Sequence, residues 1–104
     1  MRSAPDYVKP PMFQSGLMLR DTCARNSERC AWYIMGAADA TVGHAYITGY
    51  TRAFCFPAGA VAGDVVKYVV KDLQDDAQTI PSALEWSAGD LVMYSLGVHF
   101  ACSH

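Results

Sequence analysis

Four cysteines, Cys23, Cys30, Cys55 and Cys102, fall within 104 residues, each at the edge of a helical segment rather than inside one. An even count without a C-x-x-C pair reads as two disulfides before it reads as a metal site. Structural zinc ligands usually come in pairs two to four residues apart, whereas Cys23 and Cys30 are seven apart, so no metal is expected. Disulfides persist in oxidising compartments and thus imply a secreted, periplasmic or extracellular domain. Residues 1–11 contain Arg2 and Lys9 but no apolar run of the kind a signal peptide needs, so any leader is expected to have been removed already or never to have been present.

The length sets one domain, residues 1–104, able to bury roughly two thirds of its unfolded surface. With 52% hydrophobic and 17% charged residues and a net charge of -2, the composition is that of a folding chain. Its eight Lys and Arg are spread thinly, leaving no basic stripe to neutralise phosphates, which excludes nucleic acid as the partner. The uncharged stretch Ala40 to Thr51 is broken by three threonines, two glycines and His44, and predicts no membrane-spanning helix.

Hydrophobic spacing predicts an all-α chain. After an extended lead over residues 1–11, Ser15 caps a short helix running to about Cys23 or Ala24, and Arg25 and Asn26 turn the chain. Ser27 caps a second helix from Glu28, with Cys30, Ile34, Ala37, Ala38 and Thr41 on one face. Gly43 to Phe54 stays open between helix and strand, because β-branched and aromatic residues alternate there with two glycines. Cys55 to Gly59 is turn chemistry. From Ala62 to about Asp75 the periodicity is clearest: Val66, Val69, Val70 and Leu73 oppose Asp64, Lys67, Lys71 and Gln74. Asp75 to Gln78 reads as a short acidic loop. Thr79 then caps a last helix with Pro81 in its first turn, passing through Leu84, Ala88, Leu91, Val92 and Ser95 towards Phe100. The expectation is a small disulfide-stapled bundle of about four helices in two hairpins. Of the three possible connectivities, the first hairpin brings Cys23 beside Cys30, leaving Cys55 for Cys102.

No catalytic signature such as GxSxG, HExxH or CGSC is present, and His44, His99 and His104 have no motif around them. These histidines read as surface or satisfied structural side chains, and neither an enzyme nor a cofactor is expected. Trp32 and Tyr33 read as packing at a helix seam or a dimer contact before they read as a ligand platform.

Taken in order, the segments Ser15-Gly16-Leu17-Met18-Leu19 with Cys23, Cys30-Ala31-Trp32-Tyr33-Ile34-Met35-Gly36-Ala37-Ala38-Asp39-Ala40, Cys55-Phe56-Pro57, Val65 to Leu73, Ser82-Ala83 and Phe100-Ala101-Cys102 resemble the Rap/Tai family of type VI secretion immunity proteins. The resemblance spans nearly the whole chain. It departs from the family pattern at Trp32, where a glycine is common; at Val61, where a Thr often caps the third helix; at Ala101, in place of a proline; and at Asp76-Ala77, in place of His-Pro. What the resemblance implies is a mostly helical periplasmic protein, often a homodimer, that binds and blocks a peptidoglycan amidase delivered by neighbouring cells. By the same analogy Asp75, Asp76 and Gln78, after the third helix, form part of the contact. Two rival expectations are a divergent Rap/Tai-like structural or adaptor domain with no amidase partner, and a cytosolic zinc or thiol protein.

Overall fold

The computed structural model describes residues 13–102, so the extended lead over 1–11 and His104 lie outside the described residues. Among the described residues four α-helices form, α1 (Gly16–Arg25), α2 (Ser27–Thr48), α3 (Ala62–Thr79) and α4 (Ala88–His99), with a 3-10 turn over Pro81–Glu85 between the last two. Helix α1 packs on α2 and α3 on α4, making two hairpins, while α4 also lies against α2 and α1. Leu19 of α1, Ile34 and Ala38 of α2, Val69 and Leu73 of α3, and Val92 and Leu96 of α4 meet in one core with Phe54 and Leu84.

The ends of these helices follow from local chemistry. The Ser15 hydroxyl accepts from the Met18 N–H and starts α1. Asn26 closes α1 by donating its backbone N–H to Thr22 and opens α2 by accepting from the Arg29 N–H at 3.0 Å. The cap of α2 is therefore Asn26 rather than Ser27, and one extended residue makes the whole hairpin corner. Helix α2 runs on through the stretch that the sequence left open, because Ala45 continues the buried stripe of Cys30, Ile34 and Ala38. Thr41 and Thr48 keep their hydroxyls bonded to carbonyls one turn back. It stops at Gly49, which takes the left-handed conformation, φ 74°, that closes helices without a Cβ penalty.

Two expected boundaries are corrected. Asp75 to Gln78 is not a loop but the last turn of α3: nothing between Leu73 and Thr79 breaks a helix, and Ala77 packs against the core. The helix yields only where Pro81 forces its predecessor out of the α region, leaving Ile80 at φ −138°, ψ 69°. Thr79 consequently does not cap anything downstream; its hydroxyl donates back to the Asp75 carbonyl. The expected single last helix is also two elements. Pro81 starts a 3-10 turn, Trp86 is extended, and Ser87 caps α4 by accepting from the Asp90 N–H at 3.1 Å.

The structure joins Cys23 to Cys30 and Cys55 to Cys102. The first bond crosses the α1–α2 corner. The second fastens the segment between α2 and α3 to the end of α4, alongside a backbone bond from the Cys55 N–H to the Phe100 carbonyl and the buried ring of Phe54. In the chain-entropy picture, closing loops with sequence separations of 7 and 47 stabilises by about 2.4 and about 4 kcal/mol.

Candidate partner-binding surface

Asp75, Asp76 and Gln78, the contact residues that the family resemblance implies, sit on the C-terminal turn of α3. Asp75 is exposed and pairs with Lys71 one turn back at 3.2 Å, a surface pair worth a few tenths of a kcal/mol. Gln78 is exposed, and Asp76 is half-buried. Burial, then the neighbouring charges of Asp72 and Asp75, push the Asp76 carboxyl above its ordinary range. No basic residue occupies this last turn. Two carboxylates thus stand at the negative end of the helix dipole, where an anion is unfavourable by about 0.3–1 kcal/mol each.

Asp76 does not stand alone. It forms one wall of a groove of about 910 Å³ between the end of α3, the 3-10 turn and α4, with Ile80, Trp86, Asp90, Tyr94 and Val98 also on its walls. Ile80, Trp86, Tyr94 and Val98 are exposed by 57, 59, 73 and 60%, so the groove is an open apolar surface rather than part of the core. Neither Lys, Arg nor His lines it, and its two charges, Asp76 and Asp90, are both negative. The wall residues on α4, Asp90, Tyr94 and Val98, recur every fourth position and so share one face, and the extended Trp86 precedes the helix. A single helix over residues 79–100 is suggested by the core stripe of Leu84, Ala88, Leu91 and Val92, which carries no sign of the break before α4. The signal that separates the two elements is the pair Ser87 and Asp90, the S-x-x-D spacing of a helix start.

A polar cluster lies beside the groove. Asp72 of α3 accepts from the Ser95 hydroxyl and faces the His99 Nε2 at 3.1 Å, both on α4, with His99 stacked on Tyr68 at 4.4 Å between centroids. The residue types are those of a hydrolytic triad, but the order is wrong: the carboxylate stands in the middle and the imidazole does not reach the serine. What the arrangement does is cross-link α3 to α4. Among the other candidates, His44 is exposed near Tyr50, and all four cysteines are oxidised and hold no thiolate for zinc.

Tyr33 and Trp32 part company. Tyr33 packs against the core, its phenol pushed up by burial and then by the Asp90 charge, while Trp32 is 73% exposed. Trp32 shares the outward face of α2 with Gly36, Asp39, Gly43, Tyr46 and Ile47, and nothing approaches the two glycines. No helix among the described residues is long and apolar enough to cross a membrane.

A family model described as Rap1a immunity proteins matches residues 15–102. No curated protein and no solved structure gives a significant match.

Proposed function

The chain belongs to the Rap1a immunity protein family, and from that premise we propose that it binds and blocks a type VI secretion peptidoglycan amidase in the periplasm. An immunity role means recognition of an effector protein. Inhibition of a hydrolase requires no chemistry from the inhibitor, only a stiff surface that occupies the substrate groove, and pre-ordering that surface lowers the entropy lost on binding. Two disulfides in a 104-residue chain serve that purpose and suit an oxidising compartment.

The observation that carries the contact is the acidic turn at the end of α3. Asp75 and Asp76 oppose the dipole of their own helix, and residues held against stability are the ones expected to meet a partner. With Gln78 they offer carboxylates and an amide to the cationic or hydrogen-bonding rim of an enzyme cleft. A homodimer is supported by the outward face of α2, where Trp32, Tyr46 and Ile47 are exposed by 73, 87 and 82% around glycines that permit close helix approach. The test is titration of the oxidised protein into peptidoglycan hydrolysis by candidate type VI amidases. Stoichiometric loss of cleavage is the expected outcome; undiminished cleavage at excess protein rejects the amidase and leaves the adaptor reading.

A further inference from the structure

We propose that the effector inserts an apolar segment flanked by lysine or arginine side chains into the groove between the end of α3, the 3-10 turn and α4. The proposal rests on effector recognition as given above, though not on the effector being an amidase.

The groove's walls are fixed before any partner arrives. The Trp86 carbonyl accepts from the Gly16 N–H at 2.8 Å and the Trp86 N–H donates to the Ala83 carbonyl at 3.1 Å, which anchors this extended residue to both α1 and the 3-10 turn. Gly97 lets α4 approach the backbone of Ala53, whose carbonyl oxygen lies 3.3 Å from where a Cβ would stand. Asp72 holds Ser95 and His99 and so ties α3 to α4 beside the groove. A surface ordered in this way loses little entropy on binding. It nevertheless leaves Trp86 and Tyr94 exposed, and Trp and Tyr are the side chains that most often carry the binding energy of an interface.

Charge decides between occupants. Among the described residues no Lys, Arg or His lines the groove, and neither of its carboxylates, Asp76 and Asp90, has an ion-pair partner. Asp72, one turn back on α3, is already engaged by Ser95 and His99. Asp90 sits in the first turn of α4, where the helix dipole favours it, but Asp76 sits in the last turn of α3, where the dipole opposes it. Burial and the charges of Asp72 and Asp75 add to that cost, so a cation gains most at Asp76. A second copy of the groove laid on the first would set these carboxylates against one another, and a neutral or anionic segment would leave them unmatched. A basic side chain beside aliphatic ones meets both the charge and the apolar wall, and the net charge of -2 favours its approach. Asp76 also belongs to the acidic turn with Asp75 and Gln78, so the groove extends the contact surface of that turn.

The test uses the full chain, isotopically labelled for nuclear magnetic resonance, and two short synthetic leucine-rich peptides that differ only in their flanks, lysine in one and glutamate in the other. The lysine peptide should shift the resonances of the Trp86 indole, Tyr94 and Gly97 and bind at least about tenfold more tightly than the glutamate peptide, and Asp76→Lys combined with Asp90→Lys should reverse that order. Against any type VI effector that the native chain neutralises, Trp86→Ser and Tyr94→Ser should each weaken binding at least about tenfold, whereas Tyr50→Ser, at an exposed aromatic outside the groove, should leave it within about threefold. Thermal unfolding checks that each variant remains folded. Equal binding of the two peptides, no binding of the lysine peptide, or shifts confined to residues outside the groove overturns the proposal. So does self-association of the chain through the groove, and so does an effector neutralised as well by Trp86→Ser and Tyr94→Ser as by the native chain. Charge-selective peptide binding in the groove, with no effect on any candidate amidase, supports the groove's chemistry and rejects the amidase.

Discussion

Asp76 stands where a helix least favours a carboxylate: at the C-terminal turn, half-buried and beside two further aspartates. Asp76→Asn is therefore expected to raise the unfolding free energy by about 0.5 kcal/mol at neutral pH, measured by urea denaturation, while weakening effector binding. The pH dependence follows from the direction of the shift. A carboxyl held above its ordinary value of 3.8 binds its proton more tightly in the folded chain, so its contribution to stability is largest at low pH and is lost as pH rises through the folded-state pKa. The difference in stability between the native chain and Asp76→Asn should accordingly shrink as pH falls from neutrality into the carboxylate range. At the opposite end of α3, Val61 occupies the N-cap with an extended backbone but no side-chain hydrogen bond, and is 59% exposed. Val61→Thr is expected to add about 0.5–1 kcal/mol, with an unchanged denaturant slope. Gly16 illustrates the reverse constraint. A Cβ there meets Leu91 and the Leu84 backbone, the latter at 3.1 Å, so Gly16→Ala should destabilise by about 1–3 kcal/mol.

At the level of elements, what could be read from the chain was what local chemistry alone decides. The all-α class, the start of α1 at Ser15, the corner at Asn26 and the core stripe through Val69 and Leu73 all rest on caps and on a 3.6-residue period, and the structure has them. The misread boundaries are those where a longer-range term wins. Helix α2 persists through Gly43 because Ala45 is buried by its neighbours, which no local propensity reports. Helix α3 persists through two acidic residues because Ala77 reaches the core, and Asp75 to Gln78 thereby become a helical turn instead of a loop. With no proline between Leu73 and Thr79, the helix runs on to Thr79. The groove was illegible for a related reason: its walls come from the end of α3, the 3-10 turn, α4 and Ala53, stretches that only tertiary packing brings together, with a break at Ser87 between the turn and α4. Ser87→Ala is expected to cost about 1 kcal/mol, measured by thermal unfolding, because it removes the cap that sets this break.

The molecule as a whole is a small core held by two covalent links. Its surface exposes apolar side chains on two separate tracts, the outer face of α2 and the groove beside α4. Membership of the Rap1a immunity family implies recognition of an effector protein. The covalent links act on the unfolded chain more than on the folded one, and replacing Cys55 and Cys102 together by Ala should lower stability by up to about 4 kcal/mol, against about 2.4 kcal/mol for Cys23 and Cys30. The central claim is that stiffness and shape, without chemistry, constitute the activity. Its most direct test is calorimetric titration of the amidase proposed as its target with the oxidised protein and with the Cys55→Ala, Cys102→Ala double variant, followed through peptidoglycan cleavage. The account predicts tight binding and complete loss of cleavage with the oxidised protein, and a weaker association with a larger entropic penalty for the variant. Equal affinity and inhibition by both forms would contradict it.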